Sequence, residues 1–234
     1  MTWGDHPGKL AWVTGASSGI GLAISERLLA DGWRVRGFSR TPPNLASAHF
    51  QHQPIDLSQP FSLTLSETPT ALVHAAGLMH TAALGALDHE AGEKMWRVHV
   101  DAAARFANQV LPAMQARPSG QSGRVVLISS RVAAGKAGRS HYAASKAALI
   151  ALARSWAAEV VASGITVNVV SPAATNTPML HSGERATSAP VLPPMGRLIE
   201  PAEVAALVAF LLSDAACAIT GQDIAVCGGS SLPK

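Results

Sequence analysis

The chain has 234 residues, 48% of them apolar, 14% charged and 5% aromatic, with a formal charge of +3. With no run of Lys or Arg, nucleic acid has no electrostatic footprint to bind. Two cysteines, Cys217 and Cys227, are too few for a disulfide framework and lack metal-ligand spacing, so no metal site is expected and both are read as small buried residues.

Length alone allows one large domain or two, and a chain this size buries roughly 70% of its unfolded surface. The longest apolar stretch, Val204 to Leu212, falls far short of the roughly 20 residues a bilayer span needs. Residues 1–8 carry Asp5, His6 and Pro7 and no apolar targeting core, so a cytoplasmic chain with no membrane partner is expected.

Short β-branched runs alternate with Ala/Leu-rich stretches, which predicts βα units around a parallel sheet. A strand over Leu10–Thr14 leads into a helix over Ile20–Asp31, stopped by Gly32. Strands follow over Arg34–Phe38 and Gln51–Ile55. The stretch from Thr41 to Pro69 holds five prolines and little helical pattern, so an abbreviated crossover is expected there. Next come a strand over Ala71–His74, helices over His89–Arg97 and Ala102–Arg117, and a strand over Arg124–Ser129. A helix over His141–Ser163 ends at Gly164 and precedes a strand over Ile165–Val170. Thr177 to Pro201 is long and rich in Pro, Ser, Gly and Met, fitting either a lid over a site or a surface loop. Pro201 and Glu203 open a helix reaching Ser213, and a strand over Ile224–Val226 closes the pattern. Nearly all-apolar strands are those covered on both faces. The expectation is a single domain over residues 1–234: a doubly wound α/β fold with seven parallel strands, helices on both faces and a site at the strands' carboxyl ends.

Thr14 to Gly21 read T-G-A-S-S-G-I-G, directly after the first strand and opening the first helix. Gly15, Gly19 and Gly21 permit positive φ and bring backbone N–H groups close to a pyrophosphate, which a helix N-terminus also favours. The G-x-x-x-G-x-G spacing differs from G-x-G-x-x-G, so that fingerprint does not carry across. At the end of the second strand an acid would bind a free ribose 2′-hydroxyl and a base a 2′-phosphate. Ser39 stands where the acid would be and Arg40 follows, so NADP(H) is expected over NAD(H), unless Arg40 is simply a solvated arginine. Tyr142 to Lys146 read Y-A-A-S-K, which places phenol and ammonium one helical turn apart on one face. A cation beside a phenol favours the phenolate.

These motifs, in register over nearly the whole chain, resemble the short-chain dehydrogenase/reductase superfamily in its single-domain, Rossmann form, and broadly its 3-oxoacyl-carrier-protein-reductase-like members. The resemblance implies that Ser17, Ser18 and Ile20 join the three glycines in holding the cofactor, with Asp56 and Leu57 at the adenine. His74-Ala75-Ala76-Gly77 stands where the family has N-N-A-G, placing Ala75, Ala76 and Gly77 at the cofactor. Pro172-Ala173 replaces a P-G turn, and Thr175 and Thr177 fall at the nicotinamide. Tyr142 would be the proton donor or acceptor and Lys146 its electrostatic partner and ribose ligand. Ser130 would hold the substrate oxygen, with Ser129 kept open because the interval to Tyr142 is one residue short. The family's fourth catalytic residue, an Asn, falls at His99, which would either support a relay water or be an inert, satisfied histidine.

The function implied is NADPH-dependent reduction of a ketone, with a 3-oxoacyl thioester as one candidate, to a secondary alcohol. Oxidation of an alcohol, or nucleotide sensing without turnover, are the alternatives. Substrate choice would rest on the 177–201 segment, Met79, His80, Arg131 and Val132. Family members usually form dimers or tetramers through their two long helices, so a homodimer or homotetramer is expected. The apolar stripes in Ala102–Arg117 and Leu149–Val161 allow this, or face the sheet.

Overall fold

A computed structural model describes residues 9–118, 123–181 and 191–232. The chain order is β1 (Leu10–Thr14), α1 (Gly19–Ala30), β2 (Arg34–Ser39), β3 (Phe50–Pro54), β4 (Ala71–His74), α2 (His89–Trp96), α3 (Ala102–Gln115), β5 (Arg124–Ile128), α4 (Ser140–Val160), β6 (Thr166–Pro172), α5 (Pro178–His181), α6 (Pro201–Leu211) and β7 (Asp223–Val226). All seven strands form one parallel sheet, ordered β3-β2-β1-β4-β5-β6-β7. The order reverses between β1 and β4, which opens the crevice where ligands bind in such sheets.

Alternation along the strands explains both layers. Leu10, Trp12, Leu72, Leu127 and Val169 turn to the face covered by α3 and α4. Ala11, Val13, Val73, Ile128 and Val170 turn to the face covered by α1 and α6. Strands sandwiched this way bury side chains on both sides, hence their apolar composition. Gly32 and Gly164 adopt φ of 81° and 72° and stop their helices as expected. The α6 start is stronger than expected, because Glu200 and Glu203 form a reciprocal capping box.

Several expectations need correction. The helices expected over His89–Arg97 and Ala102–Arg117 are one continuous rod, joined by a π turn over Arg97–Asp101 in which the Ala102 amide bonds the Arg97 carbonyl. One inserted residue shifts the apolar phase, so periodicity reports two helices. Neither cysteine is buried: Cys217 is exposed and Cys227 half-buried, since the first follows a short turn and the second follows the edge strand β7. Of the two readings open for the α3 stripe, the sheet-facing one holds: Ala103, Phe106, Ala107, Val110 and Met114 pack on the sheet. Residues 40–49 and 55–70 connect β2, β3 and β4 without a helix. The second connection is tied down by Arg34, whose guanidinium grips the Glu67 carboxylate with both terminal nitrogens.

Candidate active site

The turn after β1 gets its shape from missing side chains. Gly15 (φ 69°) donates its amide to Phe38 at 2.8 Å, and a Cβ there would lie 2.7 Å from the Ala76 Cα. A Cβ on Gly21 would lie 2.2 Å from the Gly15 carbonyl oxygen. Gly19 (φ 54°) would place one 3.2 Å from the Thr177 methyl, so the turn and the segment after β6 face each other. The α1 N-terminus has no acid in its first turn, and the exposed Ser18 makes no side-chain cap. Ser17 and Ile20 flank it, half-buried. Uncapped amides at a helix start attract an anion. A backbone cradle without Cβ atoms and an open helix terminus therefore fit a pyrophosphate.

At the β2 end Ser39 is buried, donating its hydroxyl to the Thr41 carbonyl at 2.8 Å and lying 3.1 Å from His52 Nε2. Arg40 is exposed. Asp56 is exposed and accepts both the Ser58 amide (2.9 Å) and hydroxyl (2.7 Å), which hold its carboxyl below its usual range. Leu57 is buried beside it.

Register puts Thr14 beside His74 in the central strands. The Thr14 hydroxyl accepts the Ala75 and Ala76 amides, each at 3.1 Å, so its own hydrogen goes to His74 Nδ1 at 3.0 Å. His74 Nε2 then carries the ring hydrogen and donates it to the Val98 carbonyl at 3.1 Å. The bracing that amide side chains would give N-N-A-G is thus rebuilt through an imidazole. Burial, and after it the Lys146 charge, lowers the His74 pKa from 6.5 to about 3. At the far end, Pro172 closes β6 and the Ala173 amide bonds Val226 at 3.0 Å. No described non-glycine residue has positive φ, so alanine at 173 costs the turn nothing. The Thr175 hydroxyl donates to Ala173 at 3.0 Å.

The catalytic candidates converge at the start of α4. Tyr142 is buried against Met79 and Met95, with Val132 and Met179 alongside. Lys146 Nζ donates to the Ile128 carbonyl at 2.8 Å and lies 5.9 Å from the Tyr142 ring centre. Burial lowers its pKa from 10.5 to about 7. The Ser129 hydroxyl is spent on the Lys146 carbonyl at 2.7 Å. Ser130 is less buried, and its oxygen accepts the Val132 amide at 3.1 Å, capping the short turn over Arg131–Ala134. Arg131 donates to the Ser230 carbonyl at 2.9 Å.

His99 lies in the π turn, wholly buried, its ring 5.7 Å from that of Tyr142. Its Nε2 accepts the Leu78 amide at 3.0 Å and its Nδ1 meets the Ser145 hydroxyl at 2.9 Å. Burial first, then Lys146, lowers its pKa well below 6.5. Gly77 makes the approach possible: a Cβ there would lie 3.2 Å from His99 Nε2 and 3.5 Å from Lys146 Nζ. Sequence reasoning missed Ser145, visible only as a letter inside Y-A-A-S-K, and the Thr14 hub, which needs strand register to be seen. Of the expected lid, 177–181 adjoin this site, while 182–190 lie outside the described residues.

A family model described as short chain dehydrogenase matches residues 9–63. One described as enoyl-(acyl carrier protein) reductase matches residues 66–231. The chain belongs to the short-chain dehydrogenase/reductase family. It is an NAD(P)-dependent oxidoreductase. It is 36% identical over 240 residues to a 3-oxoacyl-[acyl-carrier-protein] reductase of Salmonella typhimurium, covering 95% of this chain and 97% of the relative. To the 2,3-dihydro-2,3-dihydroxybenzoate dehydrogenase of Escherichia coli it is 34% identical, covering 97% and 99% of the two chains. An actinorhodin polyketide ketoreductase solved with NADPH superposes with a TM-score of 0.83 at 27% identity, covering 97% of this chain and 98% of that one. Among the described residues no helix is long and apolar enough to cross a membrane, and no three His, Cys, Asp or Glu side chains gather as a metal site.

Proposed function

We propose that this protein is an NADPH-dependent ketone reductase whose substrates include 3-oxoacyl thioesters, as the name of its 36%-identical relative implies. The observation that carries the reading is the convergence of Tyr142, Lys146 and the half-open Ser130 beside the Gly15–Gly21 cradle. When bound, the nicotinamide supplies the hydride. Tyr142 gives its phenolic proton to the substrate oxygen, the step general acids perform in such sites. Ser130, its oxygen already accepting from Val132, donates its own hydrogen to that same oxygen and fixes its place. Ser129 is spoken for, which favours Ser130 for this role. Lys146, as a cation, stabilises the phenolate left behind and takes the ribose hydroxyls. His99, neutral and engaged at both nitrogens, passes no proton in this reading.

The cofactor would lie with its pyrophosphate on Gly15, Ser17, Ser18, Gly19, Ile20 and Gly21. Asp56 and Leu57 would border the adenine, and Ala75, Ala76 and Gly77 the adjoining ribose. Pro172, Ala173, Thr175 and Thr177 would face the nicotinamide. Exposed Arg40 beside Ser39, where an acid would bind a 2′-hydroxyl, supports a 2′-phosphate and so NADPH over NADH. A homodimer or homotetramer in the cytoplasm completes the proposal, supported by a groove of about 540 Å³ between α3 and α4 lined by Leu111, Pro112, Leu152 and Trp156. The test is cofactor oxidation across a ketone panel that includes a 3-oxoacyl thioester, run with both cofactors. The expected result is turnover with kcat/KM higher for NADPH. Tight NADPH binding without turnover supports the sensing alternative, and an NADH preference removes Arg40 from the cofactor site.

A further inference from the structure

We propose that Ser145, acting through His99, is a positioning residue that sets where Tyr142 stands. The inference rests on the reductase reading above for its kinetic arm only.

Three hydrogen bonds carry it. The Leu78 amide can only donate, so at 3.0 Å it requires a lone pair on His99 Nε2. A neutral imidazole has one ring hydrogen, which must then sit on Nδ1 and point to the Ser145 oxygen at 2.9 Å. The Ser145 hydroxyl passes its own hydrogen to the Tyr142 carbonyl at 2.9 Å. Each bond has one allowed direction, and none can reverse without setting two donors against each other. The chain therefore runs from the loop after β4, through the π turn, to the first turn of α4. His99 and Ser145 are 0% and 1% exposed, so no bulk water can stand in for a lost partner. A buried donor left unpaired is costly enough to make neighbouring backbone shift. The Ser145 oxygen that meets this donor also bonds the Tyr142 carbonyl, so the turn bearing Tyr142 is the backbone tied to it. A serine at the fourth place of Y-A-A-S-K thus couples the loop at Gly77–Leu78 to the phenol, two elements that must agree for proton transfer to proceed.

The test compares wild type, Ser145→Ala, His99→Asn and the double variant, with ¹⁵N-detected histidine spectra of the wild type. Ser145→Ala should lower kcat roughly 10- to 100-fold, the size of effect a misplacement on the order of 1 Å produces. KM for NADPH should stay within about twofold, because the cradle is built elsewhere. The double variant should be no worse than the poorer single, since both break one chain. The spectra should show neutral His99 as the Nδ1–H tautomer at about pH 7. Wild-type kcat in Ser145→Ala, a parallel loss of NADPH affinity, or fully multiplicative losses would overturn the proposal. So would an Nε2–H tautomer, which needs no variant to fold. If the wild type reduces no ketone, the reductase reading fails, and the spectra alone then decide the hydrogen-bond chain.

Discussion

The cofactor turn and the catalytic face reach precision by opposite means. Around Gly15, Gly19 and Gly21 the geometry depends on atoms that are absent: the cradle is backbone, and the next carbon would strike the Ala76 backbone, the Thr177 side chain or the Gly15 backbone in turn. Around Tyr142 it depends on polar partners, with Ser129, Ser145, His99 and Lys146 each bonded to a named neighbour. The first region should fail when something is added, the second when something is removed. A pyrophosphate is held by many weak backbone donors, which need room, whereas a proton must leave from one oxygen, which needs aim.

The sharpest break of this contrast comes from the catalytic side. Removing one oxygen atom, Tyr142→Phe, should lower kcat by the full 10²–10⁴ that a general acid contributes. NADPH affinity, measured by fluorescence titration, should be unchanged, because the phenyl ring still fills the contact with Met79 and Met95. Turnover near the wild-type rate would take the phenol out of the reaction.

Adding one carbon to the other region should have a smaller and different effect. In Gly21→Ala the new Cβ meets the Gly15 carbonyl oxygen at 2.2 Å, and backbone cannot rotate away as a side chain can. Overpacking of this kind costs about 1–3 kcal/mol, and the turn must open to relieve it. The expected result is a lowered melting temperature together with NADPH affinity weakened roughly tenfold or more, while kcat at saturating cofactor stays close to wild type. A variant that loses kcat but binds NADPH normally would mean the two regions are not separable.

How much of this was legible in the chain follows the same division. The glycine turn reads directly, since glycines between an apolar strand and a helix have few other uses, and β1, β2 and β4 fall within a residue of their expected bounds. The doubly wound sheet follows from the alternation of runs. The π turn at Arg97–Asp101 does not read, because no glycine or proline marks it. Nor do the duties of Thr14, His74, His99 and Ser145, whose partners lie up to 62 residues away and depend on strand register and tautomer. Nor does the hydrogen bond by which Arg131 ties the tail at Ser230, which only the path of the last residues reveals.

The buried histidines give the gentlest test of the claim that bonded polar partners hold this face. His74 must be neutral to accept from Thr14 and donate to Val98, and its pKa drops from 6.5 to about 3 on folding. A base whose folded pKa is depressed contributes stability that is fully present above 6.5 and is lost as pH falls toward 3, because the unfolded chain takes up the proton first. Between pH 6 and 5 Lys146 stays protonated in both states, its folded value being about 7, so it adds no slope there. His74 contributes a fall approaching about 1.4 kcal/mol per pH unit, and His99, shifted in the same direction, adds to it. Urea unfolding at pH 6.0 and 5.0 should therefore show a steep loss of stability in the wild type. His74→Asn should flatten it by about one histidine's share, even while lowering stability at pH 7. An unaltered slope in that variant would mean that His74 titrates normally and that the strand brace is not closed.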